Sequence, residues 1–439
     1  MPDHRLTRRH TLALLAAAAV APRARAAAPG DQLDGWLPID RPLQGSFTLS
    51  NATLLSHTGQ RTTGGVRVED GIITELGAGV RGGEDLGGGW LSPGFTDSGC
   101  QVGLVEVGAV GSSRDTSVSG DAVTADARVI DGYNPLSEVI ATTRANGITH
   151  ALIHPSTSHL VTGLAAVVQL AGLTRSEATV RSPAALCINL GNAGRGEGLS
   201  SRIAVSRRLR QLLDEAPEPP AEDDGSRRRR RRQKDDDGGG DGDLTEAEQV
   251  WKDARAGKLK VIFKAERLDD IHEALDFIRD YELDGVLLGG AEAYLAADRI
   301  AGAGVPMLLG PLEVQPSSFE HPHAIYENAS RLHRAGVVFG VRSDGVHFAR
   351  ILPAYVGMAV AHGLPFEAGI QALTVNPGVV LGLDEGHGTM AVGAPATFFQ
   401  VDGDPLQPRY SVRRVWIGGR QASLESRQTR LYEKYRTLF

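Results

Sequence analysis

The chain has 439 residues, of which 41% are hydrophobic and 23% are charged, and its formal net charge is -7. This composition is typical of a globular protein with a large core, and the negative charge gives no reason to expect a nucleic acid partner. Two cysteines exclude a disulfide framework. Cys100 and Cys187 are interpreted as buried apolar side chains in different strands, with a single bridge between them as the alternative.

Residues 1–26 carry the features of an export signal. Arg8-Arg9 precedes the apolar run Leu12–Val20, and Ala24-Arg25-Ala26 offers a cleavage site between small residues. The arginine pair predicts a twin-arginine signal, with an ordinary secretory signal as the alternative. We therefore expect a periplasmic or secreted protein. No other stretch is long and apolar enough to cross a membrane, so no membrane span is expected.

The sequence patterns near both ends of the chain predict β-structure. Phe47–Leu54 predicts a strand, and Gly65–Leu76 predicts a hairpin that turns at Asp70-Gly71. A lone hairpin is only marginally stable, so it needs a partner sheet. Ala396–Asp402 and Val412–Ile417 supply strand patterns near the other end. We expect one small β-sandwich domain built from residues 34–89 and 388–425.

The central region, residues 90–387, alternates strand and helix patterns. The clearest helix is Asp269–Tyr281, which places Ile271, Leu275 and Ile278 on one face. Such alternation fits either a (β/α)₈ barrel or an open doubly wound sheet. The predicted strands are Trp90–Asp97, Ile148–His154, Ala184–Leu190, Leu259–Ala265, Gly285–Leu288, Val305–Leu309 and Val337–Val341.

Two further segments stand outside that alternation. Residues 214–243 contain prolines, acidic patches and the run Arg227–Arg232, and are predicted to form a disordered charged insertion. The arginine run is interpreted as solvated and balanced by its acidic flanks, with binding to phosphate or an acidic surface as the alternative. Residues 426–439 are predicted to form a C-terminal helix.

Leu91-Ser-Pro-Gly-Phe-Thr-Asp97 resembles the first barrel strand of the amidohydrolase superfamily, whose pattern is Pro-Gly-x-x-Asp-x-His-x-His. Further stretches, among them Ala145–His150 and Gln371–Pro377, are similar to the exported imidazolonepropionase-like branch. The resemblance runs from about Phe47 to the C-terminus. It implies a TIM-type (β/α)₈ barrel with a composite β-domain, hydrolysis of carbon–nitrogen bonds such as those of cyclic amides, and a homodimer.

The metal ligands of that family are mostly absent when its pattern is carried onto this chain. Gly99 and Gln101 stand at the two opening histidines, Lys264 at a middle-strand histidine, and Gly289 at the next one. Glycine, a neutral amide and an ammonium are poor ligands for zinc. Only Asp344 matches, at the position of the acid that holds metal and moves a proton. No metal or other cofactor is therefore expected.

Three functions stay open at this point. The first is a catalytically impaired homologue that binds a small amide or peptide-like ligand, or that pairs with itself or with an active homologue. The second is an active carbon–nitrogen hydrolase using Asp344 and Lys264, without metal or with zinc or another divalent ion at a relocated site of His154, His347 and Asp344. Arg342 lies in the same segment as Asp344 and is a further pocket candidate. The third is a periplasmic small-ligand binding protein.

Overall fold

The computed structural model describes residues 46–196, 198–217, 244–313 and 322–438. The predicted signal peptide, the first residues of the predicted composite domain (34–45) and the greater part of the charged insertion (218–243) lie outside these ranges.

Sixteen strands and eleven α-helices occur in the described residues, joined by short 3₁₀ turns. The strands are β1 (Phe47–Leu55), β2 (Arg61–Glu69), β3 (Ile72–Gly77), β4 (Glu84–Asp85), β5 (Trp90–Pro93), β6 (Phe95–Cys100), β7 (Ile148–Ile153), β8 (Val161–Gln169), β9 (Thr179–Asn189), β10 (Lys260–Ala265), β11 (Gly285–Gly289), β12 (Met307–Leu309), β13 (Phe339–Val341), β14 (Phe398–Val401), β15 (Val412–Ile417) and β16 (Arg420–Ala422). The helices are α1 (Glu138–Arg144), α2 (Arg175–Ala178), α3 (Arg202–Glu215), α4 (Glu246–Arg255), α5 (Leu268–Asp280), α6 (Ala297–Ala303), α7 (Asn328–Arg334), α8 (Leu352–Ala361), α9 (Phe366–Leu373), α10 (Val375–Leu381) and α11 (Arg427–Tyr435).

The first sheet joins strands from the two flanks. Its order is β16-β15-β14-β5-β1-β2-β3, with β4 beside β1. The predicted hairpin is confirmed, since β2 pairs antiparallel with β3, and Asp70 (φ 50°) and Gly71 (φ 82°) occupy the left-handed region that such a turn requires. The expected sandwich is instead one continuous hydrogen-bonded sheet of eight strands.

The second sheet forms a nearly closed barrel, in the order β13-β12-β11-β10-β9-β8-β7-β6. Its ends meet where the Asp344 N–H donates to the Gly99 carbonyl (3.0 Å). The prediction of a (β/α)₈ barrel holds for the eight-stranded sheet but not for its connectivity. β8 is antiparallel to both β7 and β9: a loop links β7 to β8, and the one-turn helix α2 lies in the connection from β8 to β9. The remaining neighbours pair in parallel.

The predicted first strand, Trp90–Asp97, is in fact two strands in two sheets. The chain passes from β5 to β6 through Gly94, where an added Cβ would lie 2.3 Å from Thr149 Oγ1. No larger residue fits at this crossing without moving Thr149. The split places β5 in the composite sheet and starts β6 inside the barrel.

Side chains alternate along the barrel strands. One set packs outward in the main core with the surrounding helices. The other set, which includes Leu152, Cys187, Ile262 and Leu288, forms a separate cluster that fills the barrel interior. Val380 and Leu381 of α10 join this cluster. Gly382, which follows them, lies against the Lys260 side chain at the start of β10, so α10 closes the N-terminal end of the barrel.

The helix pattern Asp269–Tyr281 corresponds to α5, whose apolar face is buried as predicted. The predicted insertion begins too early, because α3 continues to Glu215 and Asp214 accepts a hydrogen bond from the Tyr281 hydroxyl (2.7 Å). Both cysteines are free and buried. Within the described ranges, no helix combines the length and apolar character needed to span a bilayer.

Candidate functional site

A layer of polar side chains lies at the C-terminal end of the barrel interior. His154, Asn189 and Lys264 each follow an interior residue of the same strand region by two positions, so the alternation of side chains points them to the same side. Active sites of barrel enzymes lie at this end of the strands. The predicted site residues are therefore expected to lie in or beside this layer.

The space beside Gly99 is filled by Arg342. A Cβ added to Gly99 would lie 3.1 Å from Arg342 Nε and 3.3–3.4 Å from its Cβ and Cδ. Arg342 is fully buried, forms an ion pair with Asp344 and donates from Nη1 to the Gly310 carbonyl (3.4 Å). Burial lowers the pKa of Arg342, which the neighbouring carboxylates of Glu266 and Asp97 oppose. The cation thus sits where a longer residue 99 would extend.

The space beside Gly289 is filled in the same way by Glu266. A Cβ at Gly289 would lie 2.4 Å from Glu266 Oε1, and Gly289 also has φ 95°, which favours glycine. Glu266 Oε2 accepts from the Ala291 N–H (3.0 Å), and Oε1 lies 3.6 Å from Lys264 Nζ. The Lys264 and Glu266 side chains are only 12% and 14% exposed. Lys264 therefore has its counter-charge inside the pocket.

Asp97 braces the two edge strands of the barrel. It is fully buried and accepts from the N–H groups of Gly99 and Ser343 (3.1 Å each) and from the Ser343 hydroxyl (2.5 Å). Burial raises the pKa of Asp97 to about 6, although these hydrogen bonds act in the opposite direction. Its oxygens are thus committed to joining β6 to β13.

His154 is buried at the mouth and is held as one tautomer. Its Nδ1 lies 2.8 Å from the Pro155 carbonyl, which only accepts, so Nδ1 carries the proton and Nε2 holds a lone pair. Burial lowers the pKa of His154 to about 3, and the charge of Arg342 contributes. His347 is exposed. The relocated metal site of His154, His347 and Asp344, given above as an alternative, is not assembled in this structure, because His154 is buried and His347 is exposed.

Asp344 has the left-handed backbone value φ 59°, and its side chain is 32% exposed. The backbone hydrogen bond to Gly99 and the ion pair to Arg342 hold it in this position. Gln101 lies just beyond β6 and is partly exposed. The structure therefore brings Gly99, Arg342 and Asp344 together at the mouth, and it places Lys264 and Gly289 around Glu266.

These residues do not fit a divalent metal. Besides the single lone pair of His154 Nε2, the mouth offers an arginine, a lysine paired with Glu266, and an aspartate paired with the arginine. A zinc site needs three or four neutral or anionic donors around one point. In the described part of the chain, no group of three or more His, Cys, Asp or Glu residues is arranged to hold a metal ion.

Sequence reasoning missed Glu266. Its signal was its position two residues after Lys264, which places it on the same side of the chain at the strand end. The family pattern did not point to it. Only the fold shows that the missing side chain of Gly289, on the next strand, leaves the space that Glu266 occupies.

Solved structures that share this architecture include amidohydrolases. An amidohydrolase from Thermotoga maritima superposes with a TM-score of 0.78 at 25% identity, covering 85% of this chain and 99% of the other. A molinate hydrolase (TM-score 0.53, 16% identity, 87% and 96% coverage) and a prolidase complexed with N-methylphosphonate-L-proline (0.52, 14%, 86% and 99%) share the fold more distantly. No protein-family model and no curated protein matches the sequence. The fold is that of the amidohydrolases, and this similarity supports a place for the chain in the amidohydrolase superfamily.

Proposed function

We propose that this is an exported member of the imidazolonepropionase-like branch in which protein side chains replace the metal centre. It acts as a catalytically impaired homologue that binds a small amide or peptide-like ligand and functions as a homodimer or beside an active homologue. One observation carries the proposal: the spaces left by Gly99 and Gly289 are filled by the oppositely charged side chains of Arg342 and Glu266.

Electrostatics supports the same conclusion. Two cations and their carboxylate partners already balance their charges inside the mouth, mostly out of contact with water. A divalent cation entering there would face Arg342 and Lys264, and like charges at short range in a protein interior repel strongly. Metal activation of water, on which the family reaction rests, would then be lost.

The test is turnover and metal content of the purified full chain, compared with Asp344→Asn and Lys264→Met. We expect no zinc-, manganese- or cobalt-stimulated hydrolysis of cyclic amides, ureas or N-acyl amino acids. We also expect any bound metal to stay unchanged in both variants, because neither side chain holds it. Metal-dependent turnover that Asp344→Asn abolishes would overturn the proposal.

A second candidate is a metal-free carbon–nitrogen hydrolase with Asp344 as base. The observation in its favour is that Asp344 keeps a partly exposed carboxylate at the barrel mouth while its backbone adopts an uncommon left-handed conformation. Turnover without added metal in wild type, lost in Asp344→Asn and retained in the surface variant His347→Ala, would favour this function. A pure ligand-binding protein would bind an amide ligand with no turnover in any variant.

Export and assembly are parts of the same proposal. A reporter fused after residue 26 is expected to reach the periplasm only with Arg8-Arg9 intact, since replacing both arginines by lysine (Arg8→Lys with Arg9→Lys) weakens twin-arginine recognition. Helix α11 has no buried residue, and Tyr432 is 65% exposed, so this amphipathic helix is the surface we assign to dimerisation. Sedimentation of wild type and Tyr432→Ser tests that assignment, and a wild-type monomer would contradict it.

A further inference from the structure

A cavity of about 930 Å³ lies at the opposite, N-terminal end of the barrel, between the barrel floor and the composite sheet. It is lined by the loop from Gly382 to Pro395 and by His57, His150 and His387. The volume falls in the range of small-molecule sites, about 300–1,000 Å³. None of these histidines takes part in the proposed function at the mouth.

His150 and His387 pack edge to face in the wall of this cavity. Their ring centroids are 4.8 Å apart and the rings are inclined by 69°. With metal–nitrogen bonds of about 2.0–2.1 Å, two imidazoles on one tetrahedral ion have ring centroids roughly 5 Å apart. The spacing of the two rings is compatible with a shared metal ion.

A threonine hydroxyl holds one nitrogen of each ring. Thr149 Oγ1 lies 3.0 Å from His150 Nδ1, and Thr96 Oγ1 lies 2.9 Å from His387 Nε2. The Thr149 hydroxyl itself donates to the Phe95 carbonyl (3.3 Å), so it accepts from His150 and leaves the Nε2 lone pair of His150 available. Metal-binding histidines are usually oriented by such a hydrogen bond to the nitrogen that does not bind the metal.

The surroundings also suit a cation. Asp384 lines the same cavity, and its backbone carbonyl accepts from the backbone N–H of His387 (2.9 Å). The nearby Arg181 donates to the Leu381 and Gly382 carbonyls at the end of α10, so its charge is engaged there.

We propose that His150 and His387 form a two-histidine binding site for a first-row transition-metal ion such as zinc, with water or a small anion from the cavity completing the coordination. Imidazole nitrogens suit zinc, copper and nickel. Two protein ligands leave positions open. The site is separate from the barrel mouth and independent of the function proposed there.

The experiment is calorimetric titration of zinc into the metal-stripped full chain without a polyhistidine tag, with cobalt absorption as a second readout. We expect one zinc per chain in wild type and no measurable binding in His150→Asn or His387→Gln. Thr96→Val keeps both ligands but removes the hydroxyl that orients His387, and should weaken binding about 10- to 100-fold. The surface variant His333→Asn is the matched control and should bind as wild type does.

Circular dichroism melting of each metal-free variant shows whether it folds. If a histidine variant does not fold, the zinc affinity of Thr96→Val tests the site in its place. Absence of zinc binding in wild type, or wild-type affinity in Thr96→Val and the histidine variants, would overturn the site while leaving the proposed function intact. Zinc binding that Asp344→Asn removes would instead place the metal at the mouth and overturn both proposals.

Discussion

The two ends of the barrel differ in the charge of the side chains they contain. At the C-terminal mouth, arginine, lysine and carboxylates are packed together and neutralise one another. At the N-terminal end, two imidazoles kept neutral by burial face a cavity. The comparison teaches that a strand position without a side chain need not leave a gap, because neighbouring charged residues can fill the space. Donor groups suited to a metal can then occur at the other end.

Removing the buried cation is the change with the largest expected effect. Arg342→Leu would leave Asp97, Glu266 and Asp344 without their shared positive neighbour, and breaking a buried pair costs about 3–5 kcal/mol. Arg181→Ala, at the other end, should lower the free energy of unfolding by only about 1–2 kcal/mol, because it loses hydrogen bonds to two carbonyls. Urea denaturation at pH 7 measures both. Equal losses in the free energy of unfolding for the two variants would contradict the proposed difference between the two ends of the barrel.

Acid should weaken the fold through histidines at both ends. The folded-state pKa values of His154 (about 3) and His387 (about 4) lie below the unfolded value of 6.5. The unfolded chain therefore binds protons first as pH falls below 6.5, and stability is lost down to the folded pKa. At pH 4.5 His154 accounts for a loss of about 3 kcal/mol relative to pH 7.5.

Urea denaturation of wild type, His154→Gln and His387→Gln between pH 4.5 and 7.5 checks this. Each variant should have a shallower acid loss than wild type, because glutamine does not titrate. The raised pKa of Asp97 acts in the opposite sense between pH 3.8 and 6, where the folded state holds the proton and stability falls as pH rises. This contribution of Asp97 is present in all three proteins, so it cancels when their pH-dependent stabilities are compared. Parallel curves would contradict the prediction.

A pair of hydroxyl deletions gives the smallest effects. Ser343→Ala removes the 2.5 Å hydrogen bond to the buried Asp97 carboxylate, and bonds to charged groups contribute about 1.5–3 kcal/mol. Thr96→Val removes a bond between neutral groups, to His387, and should cost about 0.5–1.5 kcal/mol. The difference in destabilisation between Ser343→Ala and Thr96→Val should narrow at pH 5, where Asp97 is largely protonated. Thermal melting of the metal-free proteins at pH 5 and 8 measures it.

Local patterns were enough to predict most of the elements. β7, β10 and α5 lie within a residue or two of the predicted ranges, because apolar alternation and helical spacing are local properties. The strand β8 was missed although it contains the unbroken apolar run Leu164–Val168. A buried strand without alternation resembles other buried segments, and its antiparallel direction depends on pairing with distant residues.

The sequence pointed to the site positions that lack a side chain, but not to the side chains that occupy the space beside them. The resemblance to the family pattern pointed to Gly99, Gly289 and Lys264, but the positions of Arg342 and Glu266 follow from which strands are neighbours. His387 had no local signal at all. It lies in a glycine-rich loop, and its partner Thr96 is 291 residues away in the chain.

The passage of the chain through Gly94 limits how the molecule can move. One residue separates a strand of the composite sheet from a strand of the barrel, and hydrogen bonds fix it on both sides, from Gly94 N–H to the Thr397 carbonyl (3.1 Å) and from Phe95 N–H to the Gly147 carbonyl (2.9 Å). Such a junction is too short to act as a hinge, so rotation there would have to break strand pairing. A change in the width of the space between the sheets would then involve the loop from Gly382 to Pro395, which lines it, and not rotation about this junction.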